Sequence, residues 1–198
     1  GVPAVRAEGT KLPIFCWDAD RASPGNDGVF EDLVTAAEGH KVEVWGDDKS
    51  IAALYHTGGT TGQPKLVHHR RQNQAHVAHA CAAMYDFGPD DKMLNGFPLF
   101  HVAGAFVFGL SALSAGSRLV IPGRLGMRNQ GFMREVWQQV EQRGITKIGA
   151  VPTVLAALNS TPVDANIATL RVLLTGGSPL PTELAEAVET HAGVPARN

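Results

Sequence analysis

A segment rich in glycine and threonine, residues 55–65, is the part of the sequence best suited to binding an anion. It reads Tyr-His-Thr-Gly-Gly-Thr-Thr-Gly-Gln-Pro-Lys. Its glycines allow a close approach of backbone N–H groups to phosphate, its threonines supply hydroxyl donors, and its lysine supplies a compact positive charge. The residues that this chemistry would use are Thr57, Gly58, Gly59, Thr60, Thr61, Gly62 and Lys65.

This segment departs from two common nucleotide-binding patterns. Lys65 follows a proline rather than a glycine, and Leu66 stands where a Walker loop has serine or threonine. The Gly-x-Gly-x-x-Gly spacing of dinucleotide sites is also missing. Taken alone, the residues are compatible with a phosphate-binding loop or with a flexible turn that carries a solvated lysine.

Three other turns carry polar or glycine residues directly after apolar runs. The first is Pro-Leu-Phe-His, which ends at His101, the second is Val151-Pro152-Thr153, and the third is Thr-Gly-Gly-Ser-Pro at residues 175–179. Each also has a purely structural explanation. A histidine in this position can cap or pack a helix, and a proline after a strand can start one. The Gly-Gly segment can be a tight turn before a helix that starts at a proline.

An alternation of short apolar runs and amphipathic stretches begins at residue 51. Strands are predicted at about 51–55, 93–97, 118–121, 145–151 and 171–175, and helices at about 70–87, 103–113, 132–143, 153–158 and 181–191. Five strand–helix units in succession predict an α/β fold with a mostly parallel sheet covered by helices. Ligands of such sheets bind beyond the carboxyl ends of the strands, which nominates residues 56–65, 98–101, 151–153 and 176–178.

The first fifty residues differ from the rest. A short helix with Phe30, Leu33, Val34 and Ala37 on one face is predicted between a cap at Asp27 and Gly39, followed by a strand at 41–45 and a turn at 46–48. We therefore divide the chain into the end of a preceding subdomain with its linker, residues 1–50, and an α/β subdomain, residues 51–198. No closing element is predicted after Pro195, so we expect the subdomain to be truncated.

Composition argues against several function classes. A formal net charge of −2 gives no reason to expect a nucleic-acid partner. We also expect no membrane-spanning helix and no signal peptide. Cys16 and Cys81 are predicted to be reduced thiols of a cytoplasmic protein. Four histidines lie between residues 68 and 79, but no cysteine or carboxylate nearby completes a ligand set, so no metal site is predicted there.

The segment 55–65 resembles the phosphate loop of the adenylate-forming superfamily, which comprises acyl-CoA synthetases, peptide-synthetase adenylation domains and firefly-type luciferases. The usual pattern there is Thr-Ser-Gly-Thr-Thr-Gly-x-Pro-Lys-Gly, and this sequence has Gly58 and Leu66 in place of the serine and the last glycine. Pro-Leu-Phe-His and Gly-Gly-Ser-Pro-Leu are similar to further segments of the superfamily. The resemblance is to part of its large, multilayered N-terminal domain, and among its members bacterial acyl-CoA synthetases of the fatty-acid type are the most similar.

The resemblance implies an enzyme that uses ATP and Mg²⁺ to convert a carboxylic acid, expected to be a fatty or other apolar acid, into an acyl-adenylate and then a CoA thioester. Lys65 and His101 are implied in catalysis, residues 57–62 with Lys65 in holding phosphates, and a further set in the acyl and nucleotide pocket. That set is His101, Val151, Pro152, Gly176, Gly177 and Ser178.

Two alternatives stay open: an adenylation domain that loads a carrier protein, and a non-catalytic nucleotide-binding module. The superfamily's magnesium-binding acid and C-terminal lysine have no counterpart in these 198 residues. We therefore expect no turnover from them alone. Acyl length and oligomeric state are not predicted.

Overall fold

A computed structural model describes residues 15–16, 28–41, 46–57, 65–123 and 125–198. The chain divides into two compact units, residues 1–45 and 46–198. In the first unit, β1 (Phe15–Cys16) pairs in parallel with β2 (Gly28–Val29), and α1 (Phe30–Ala36) follows. The short helix expected here is therefore present, and a turn at 37–39 ends it. The expected cap Asp27 and most of the expected strand, residues 42–45, lie outside the described residues.

The second unit opens with a β-hairpin rather than with a strand of the parallel sheet. Strand β3 (Ile51–His56) pairs antiparallel with β4 (Leu66–Arg70), and the Thr57 N–H donates to the Lys65 carbonyl at 2.8 Å. The expectation that the Ile51 run begins the parallel series is therefore wrong. The connection of residues 57–65 is too short for the crossover that parallel pairing needs. Strand β4 was missed because its Leu-Val-His-His-Arg sequence lacks an apolar alternation.

Helix α2 (Arg71–Met84) leads from the hairpin into the parallel sheet and confirms the helix expected from about residue 70. The strands of this sheet are β5 (Lys92–Asn95), β6 (Arg118–Val120), β7 (Lys147–Gly149), β8 (Val172–Leu174) and β9 (Ala196–Arg197). The helices between them are a π-helix (Ala103–Leu110) that runs into α3 (Ser111–Ser114), a 3₁₀ turn (Gly126–Arg128), α4 (Gln130–Arg134), α5 (Val136–Arg143), α6 (Pro152–Asn159) and α7 (Thr182–Ala192).

The strand order is β6-β5-β7-β8-β9, and every pair is parallel. The expected α/β class with a parallel sheet is confirmed, and so are four of its strands. The fifth strand, β9, was not expected, because two residues after Gly193-Val194-Pro195 carry too little pattern to predict a strand. It obtains its partner from β8, which is a tertiary contact.

Helices cover both faces of the sheet. On one face α5, α6 and α7 enclose the core around Trp137, Ile148 and Leu155. On the other face α2, the π-helix and α3 enclose a core that includes Met93 and Phe108. Alternate residues of β5, β6 and β8 therefore enter opposite cores, as expected for a buried parallel sheet.

The π-helix is held against the sheet by a buried amide. Asn95, at the end of β5, is 1% exposed, and its Nδ2 donates to the Gly104 carbonyl at 2.8 Å. A side chain at Gly104 would collide with the backbone of Pro98, so only glycine allows this approach. The helix of residues 103–113 expected from the sequence is present, but most of it is wound as a π-helix, a form that is frequent at functional sites.

A buried ion cluster lies at the amino edge of the parallel sheet. Asp91 is 2% exposed and accepts hydrogen bonds from the Gly88 N–H at 3.0 Å and the Thr146 hydroxyl at 2.6 Å. Its carboxylate also pairs with the Lys147 Nζ at 3.2 Å and with the Arg171 guanidinium. Burial raises the pKa of Asp91, but the Thr146, Gly88 and Arg171 hydrogen bonds and the Lys147 charge outweigh it, so the pKa is lowered from its ordinary value.

Candidate functional site

The turns after three parallel strands lie side by side at the carboxyl edge of the sheet. Beyond the last paired residues, the Gly96 N–H donates to the Gly149 carbonyl at 2.7 Å, and the Ala150 N–H donates to the Leu174 carbonyl at 2.9 Å. The Thr175 N–H continues the series by donating to the Arg197 carbonyl at 2.9 Å. The segments nominated after β5, β7 and β8 therefore leave the sheet at the same level.

Two of these turns flank the point where the strand order reverses. From β5 the chain passes through the π-helix on one face of the sheet to β6, and it then returns through α4 and α5 on the other face to β7, on the opposite side of β5. The helices that follow β5 and β7 consequently diverge to opposite faces. A crevice opens outside the carboxyl ends of two such strands, and ligands of α/β sheets bind there.

His101 lies in the turn after β5 and is exposed. Its backbone N–H donates to the Pro98 carbonyl at 3.1 Å, and its ring Nδ1 accepts the Ala103 N–H at 3.1 Å. The helix-capping role considered from the sequence is therefore realised. Because Nδ1 is an acceptor here, the neutral ring carries its proton on Nε2 and can donate a hydrogen bond from that atom.

Val151 and Pro152 form the turn after β7. Val151 has extended backbone angles, φ −69° and ψ 155°, and precedes α6 directly, while Pro152 is the first residue of that helix. Both side chains are partly buried. The structural explanation, a proline that starts a helix, is correct, and it is compatible with a place in the wall of the crevice because the helix begins at the carboxyl edge.

The Gly-Gly turn follows β8 at the same edge. Gly177 has φ +83°, which a side chain rarely adopts, and Ser178 is exposed. No heavy atom lies within 4 Å of a Cβ built on Gly176, so the space beside it is open among the described residues. The preceding Thr175 is 1% exposed, and its hydroxyl has no hydrogen-bond partner in the part of the chain that the structure describes. A buried polar atom without a partner is the kind of group that a bound ligand or water satisfies.

The hairpin places Thr57 and Lys65, the two described residues of the predicted phosphate-binding set, near this edge. Thr57 and Lys65 are exposed, and the bond between them closes the base of the loop. Tyr55, in β3, donates a hydrogen bond from its hydroxyl to the Leu99 carbonyl at 3.4 Å, in the turn that carries His101. The base of the loop therefore lies beside that turn. The other residues predicted to hold phosphate, 58–62, lie outside the described residues.

A groove of about 640 Å³ runs along α2 and α3, lined by small apolar residues with Arg71, His79 and Asp86 among them. None of the residues predicted for the site lines it. Among the described residues, no group of three or more His, Cys, Asp or Glu side chains is arranged to hold a metal ion. No helix in the described parts of the chain has both the length and the hydropathy to span a bilayer.

Two residues that position the site were missed from the sequence. Asn95 is one, and its signal is a polar residue at the end of the apolar run Met-Leu-Asn, where a buried amide must find partners. Tyr55 is the other. It lies in β3, whose antiparallel partner β4 was not predicted, and no sequence pattern connects it to Leu99.

Comparisons with known proteins show the family of this chain. The model of the AMP-binding enzyme family matches residues 4–197. A marinolic acid–CoA ligase of Pseudoalteromonas sp. is 36% identical over 151 residues, which are 72% of this chain and 23% of that protein. The long-chain-fatty-acid–CoA ligase FadD13 of Mycobacterium tuberculosis is 30% identical over 162 residues, which are 81% of this chain and 31% of that protein. The chain thus spans 23% to 31% of the length of these two relatives.

The fold has a counterpart among solved structures. The crystal structure of the anthranilate CoA ligase AuaEII in complex with anthranoyl-AMP superposes with a TM-score of 0.79 at 18% identity, over 98% of this chain and 37% of that one. This likeness concerns the fold alone. The family model covers nearly every residue, and on that basis the chain belongs to the AMP-binding enzyme family.

Proposed function

We propose that the whole protein activates a carboxylic acid with ATP and transfers the acyl group to CoA. In the first step a carboxylate oxygen attacks the α-phosphorus of ATP, the bond to the β-phosphate breaks, and pyrophosphate leaves. In the second step the CoA sulfur attacks the acyl carbon and AMP leaves with the shared oxygen. The relatives are named as CoA ligases, which favours CoA over a carrier protein as acceptor.

The observation that carries the proposal is the gathering of three turns and the hairpin at one edge of the sheet. His101 and Val151 flank the reversal of strand order, and the Gly176 turn lies at the same level. Because the reaction joins two bound substrates, most of its acceleration comes from holding them in contact and from neutralising phosphate charge. A single edge that brings together the cationic Lys65, an N–H donor and an open glycine turn suits both tasks.

Residues of this chain would act mainly by binding. Thr57 and the loop that it opens would hold the β- and γ-phosphates, and Lys65 would offset the charge on the departing pyrophosphate. His101, with its proton on Nε2, would donate to an oxygen of the acid or of the phosphate. The buried Thr175 hydroxyl is placed to gain a partner from a ligand or from water. Mg²⁺, when bound, would lower the charge of the triphosphate, and the described residues supply no carboxylate set for it.

The acid is proposed to be a fatty or other apolar carboxylic acid. The π-helix that starts beside His101 has the sequence Ala-Gly-Ala-Phe-Val-Phe-Gly-Leu, with no charged side chain. An apolar wall next to a carboxylate-binding edge favours an acid with an apolar tail. A cytoplasmic location also stays a proposal, in keeping with the use of ATP and CoA.

Carboxylate-dependent exchange of pyrophosphate into ATP by the full-length protein tests the proposal. A panel of straight-chain, aromatic and dicarboxylic acids would be compared, and product would then be sought with CoA and with a carrier protein. Lys65→Ala is expected to lower exchange on the order of 100-fold, because it removes one charge that stabilises the transition state. Lys49→Ala, an exposed lysine in the turn before β3, is the matched control and should leave exchange unchanged.

Exchange with no acid in the panel would refute the activation of a carboxylate. Exchange that Lys65→Ala leaves intact would remove Lys65 from the mechanism and leave the activity standing. Transfer to the carrier protein and not to CoA would identify an adenylation domain instead.

A further inference from the structure

Three aromatic rings meet where the hairpin contacts the π-helix. Tyr55 in β3, His69 in β4 and Phe106 in the π-helix form this three-ring cluster. Their centroids are 5.6 Å apart for Tyr55 and His69, 5.0 Å for Tyr55 and Phe106, and 5.3 Å for His69 and Phe106. All three separations and the tilted or edge-to-face angles fall in the range that aromatic pairs prefer.

The cluster joins the two parts of the proposed site. Tyr55 is two residues before Thr57 in β3, and His69 is four residues after Lys65 in β4, so both rings lie on the strands that lead to the base of the loop. Phe106 is five residues after His101 in the segment that His101 caps. The Tyr55 hydroxyl adds its hydrogen bond to the Leu99 carbonyl at 3.4 Å.

Side-chain contacts of this kind help to set the position of the hairpin. The described residues of β3 and β4 form a sheet of their own, which shares no strand pairing with the five-stranded sheet. A two-stranded hairpin is marginally stable by itself and depends on packing against another element. Tyr55 makes that packing contact with both the π-helix and the turn that carries His101.

We propose that Tyr55 is a positioning residue that sets Thr57 and Lys65, which close the base of the phosphate loop, relative to the His101 turn. The inference rests on the proposed function, in which the loop holds ATP and the turn lies against the acid. A displaced loop would still bind ATP, and the turn would still bind the acid, but the carboxylate and the α-phosphorus would be misaligned. A misplacement of about 1 Å costs on the order of 100-fold in rate.

The test uses the full-length protein and the acid that supports the fastest exchange. Tyr55→Leu removes the ring and is expected to lower the kcat of exchange roughly 10- to 100-fold while the KM for ATP and the KM for the acid each change by less than about threefold. Tyr55→Phe keeps the ring and should restore kcat to within about threefold of the wild type, because a hydrogen bond of 3.4 Å is long.

The second tyrosine of the chain provides a matched control. Tyr85 stacks on Phe108 at 5.2 Å, and its backbone carbonyl accepts from Lys147 in the ion cluster at the amino edge. Tyr85→Leu therefore removes a ring of the same size whose ring partners, Phe87 and Phe108, lie outside the hairpin and the three-ring cluster. Its kcat, measured per folded molecule, should stay within about twofold of the wild type.

Each result has a defined meaning. A wild-type protein without exchange overturns the proposed function and this inference with it. An active wild type with an unchanged kcat in Tyr55→Leu overturns the inference alone, and so does a variant whose two KM values rise while kcat is kept. Tyr55→Met replaces the leucine variant if that variant does not fold. Failure of both to fold would assign Tyr55 to stability and reject the positioning role.

Discussion

The Asp91 cluster allows a prediction of stability that can be worked out from the structure. Asp91→Asn keeps the shape of the side chain but removes its charge, which leaves Lys147, only 3% exposed, without a counterion. The Arg171 side chain is 55% exposed. Water can therefore solvate its guanidinium group when the carboxylate charge is removed, and this pair adds little to the cost. Removing one partner of a buried ion pair costs about 3–5 kcal/mol. Gly88 and Thr146 donate to different oxygens of Asp91, and asparagine keeps only one of them. We therefore expect a loss within that range, about 3–5 kcal/mol.

Urea unfolding followed by circular dichroism and by tryptophan fluorescence measures this cost. Asp86→Asn is the matched control, because Asp86 is exposed and has φ +51°, which asparagine tolerates. It should change the free energy of unfolding by less than about 0.5 kcal/mol. A loss of under about 1 kcal/mol for Asp91→Asn, or equal losses for the two variants, would refute the reasoning.

The pH dependence follows from the same carboxylate. Hydrogen bonds and the Lys147 charge lower the pKa of Asp91 in the folded state below the value of about 3.9 in the unfolded chain. The unfolded state therefore binds the proton first, and the stabilisation is complete above that value and is lost as the pH falls through the folded pKa. The difference in stability between wild type and Asp91→Asn should be constant from pH 6 to 8 and shrink below about pH 4.

Three further predictions concern the carboxyl edge and the helices. Gly104→Ala should destabilise the protein by about 1–3 kcal/mol in thermal unfolding, because the added methyl group would collide with the backbone of Pro98. Gly176→Ala should leave stability unchanged and lower exchange, and equal shifts in melting temperature for the two variants would contradict this. His101→Ala should lower the free energy of unfolding by about 1 kcal/mol, and His101→Asn by less, since asparagine can accept a hydrogen bond from the same Ala103 N–H. A urea titration that ranks the two variants in the opposite order would exclude the capping role. Burial raises the pKa of the Cys81 thiol. In a variant whose other cysteine is replaced by serine, alkylation of Cys81 at pH 8 should therefore be slow in buffer and fast in urea, and equal rates would argue against the burial of the thiol.

Local patterns predicted the elements of this protein well. Apolar runs predicted four of the five parallel strands, and amphipathic periodicity predicted α2, α5, α6 and α7 within a few residues. Glycine, proline and histidine after those runs predicted the turns that now lie at the carboxyl edge. These signals succeed because alternation and helical period depend on residues that are neighbours in the sequence. The apolar runs also indicate strands that are buried on both faces of a parallel sheet.

What the sequence could not determine is which elements meet. The pairing of β3 with β4, the place of β9 beside β8 and the reversal of order around β5 all depend on contacts between distant residues, which no local pattern encodes. The ion cluster of Asp91 with Lys147, and the three rings around Tyr55, likewise exist only once the chain is folded. The sequence by itself determined the chemistry available in each turn. The tertiary structure decided that these turns share one edge, because parallel strands in register bring their carboxyl ends to the same level.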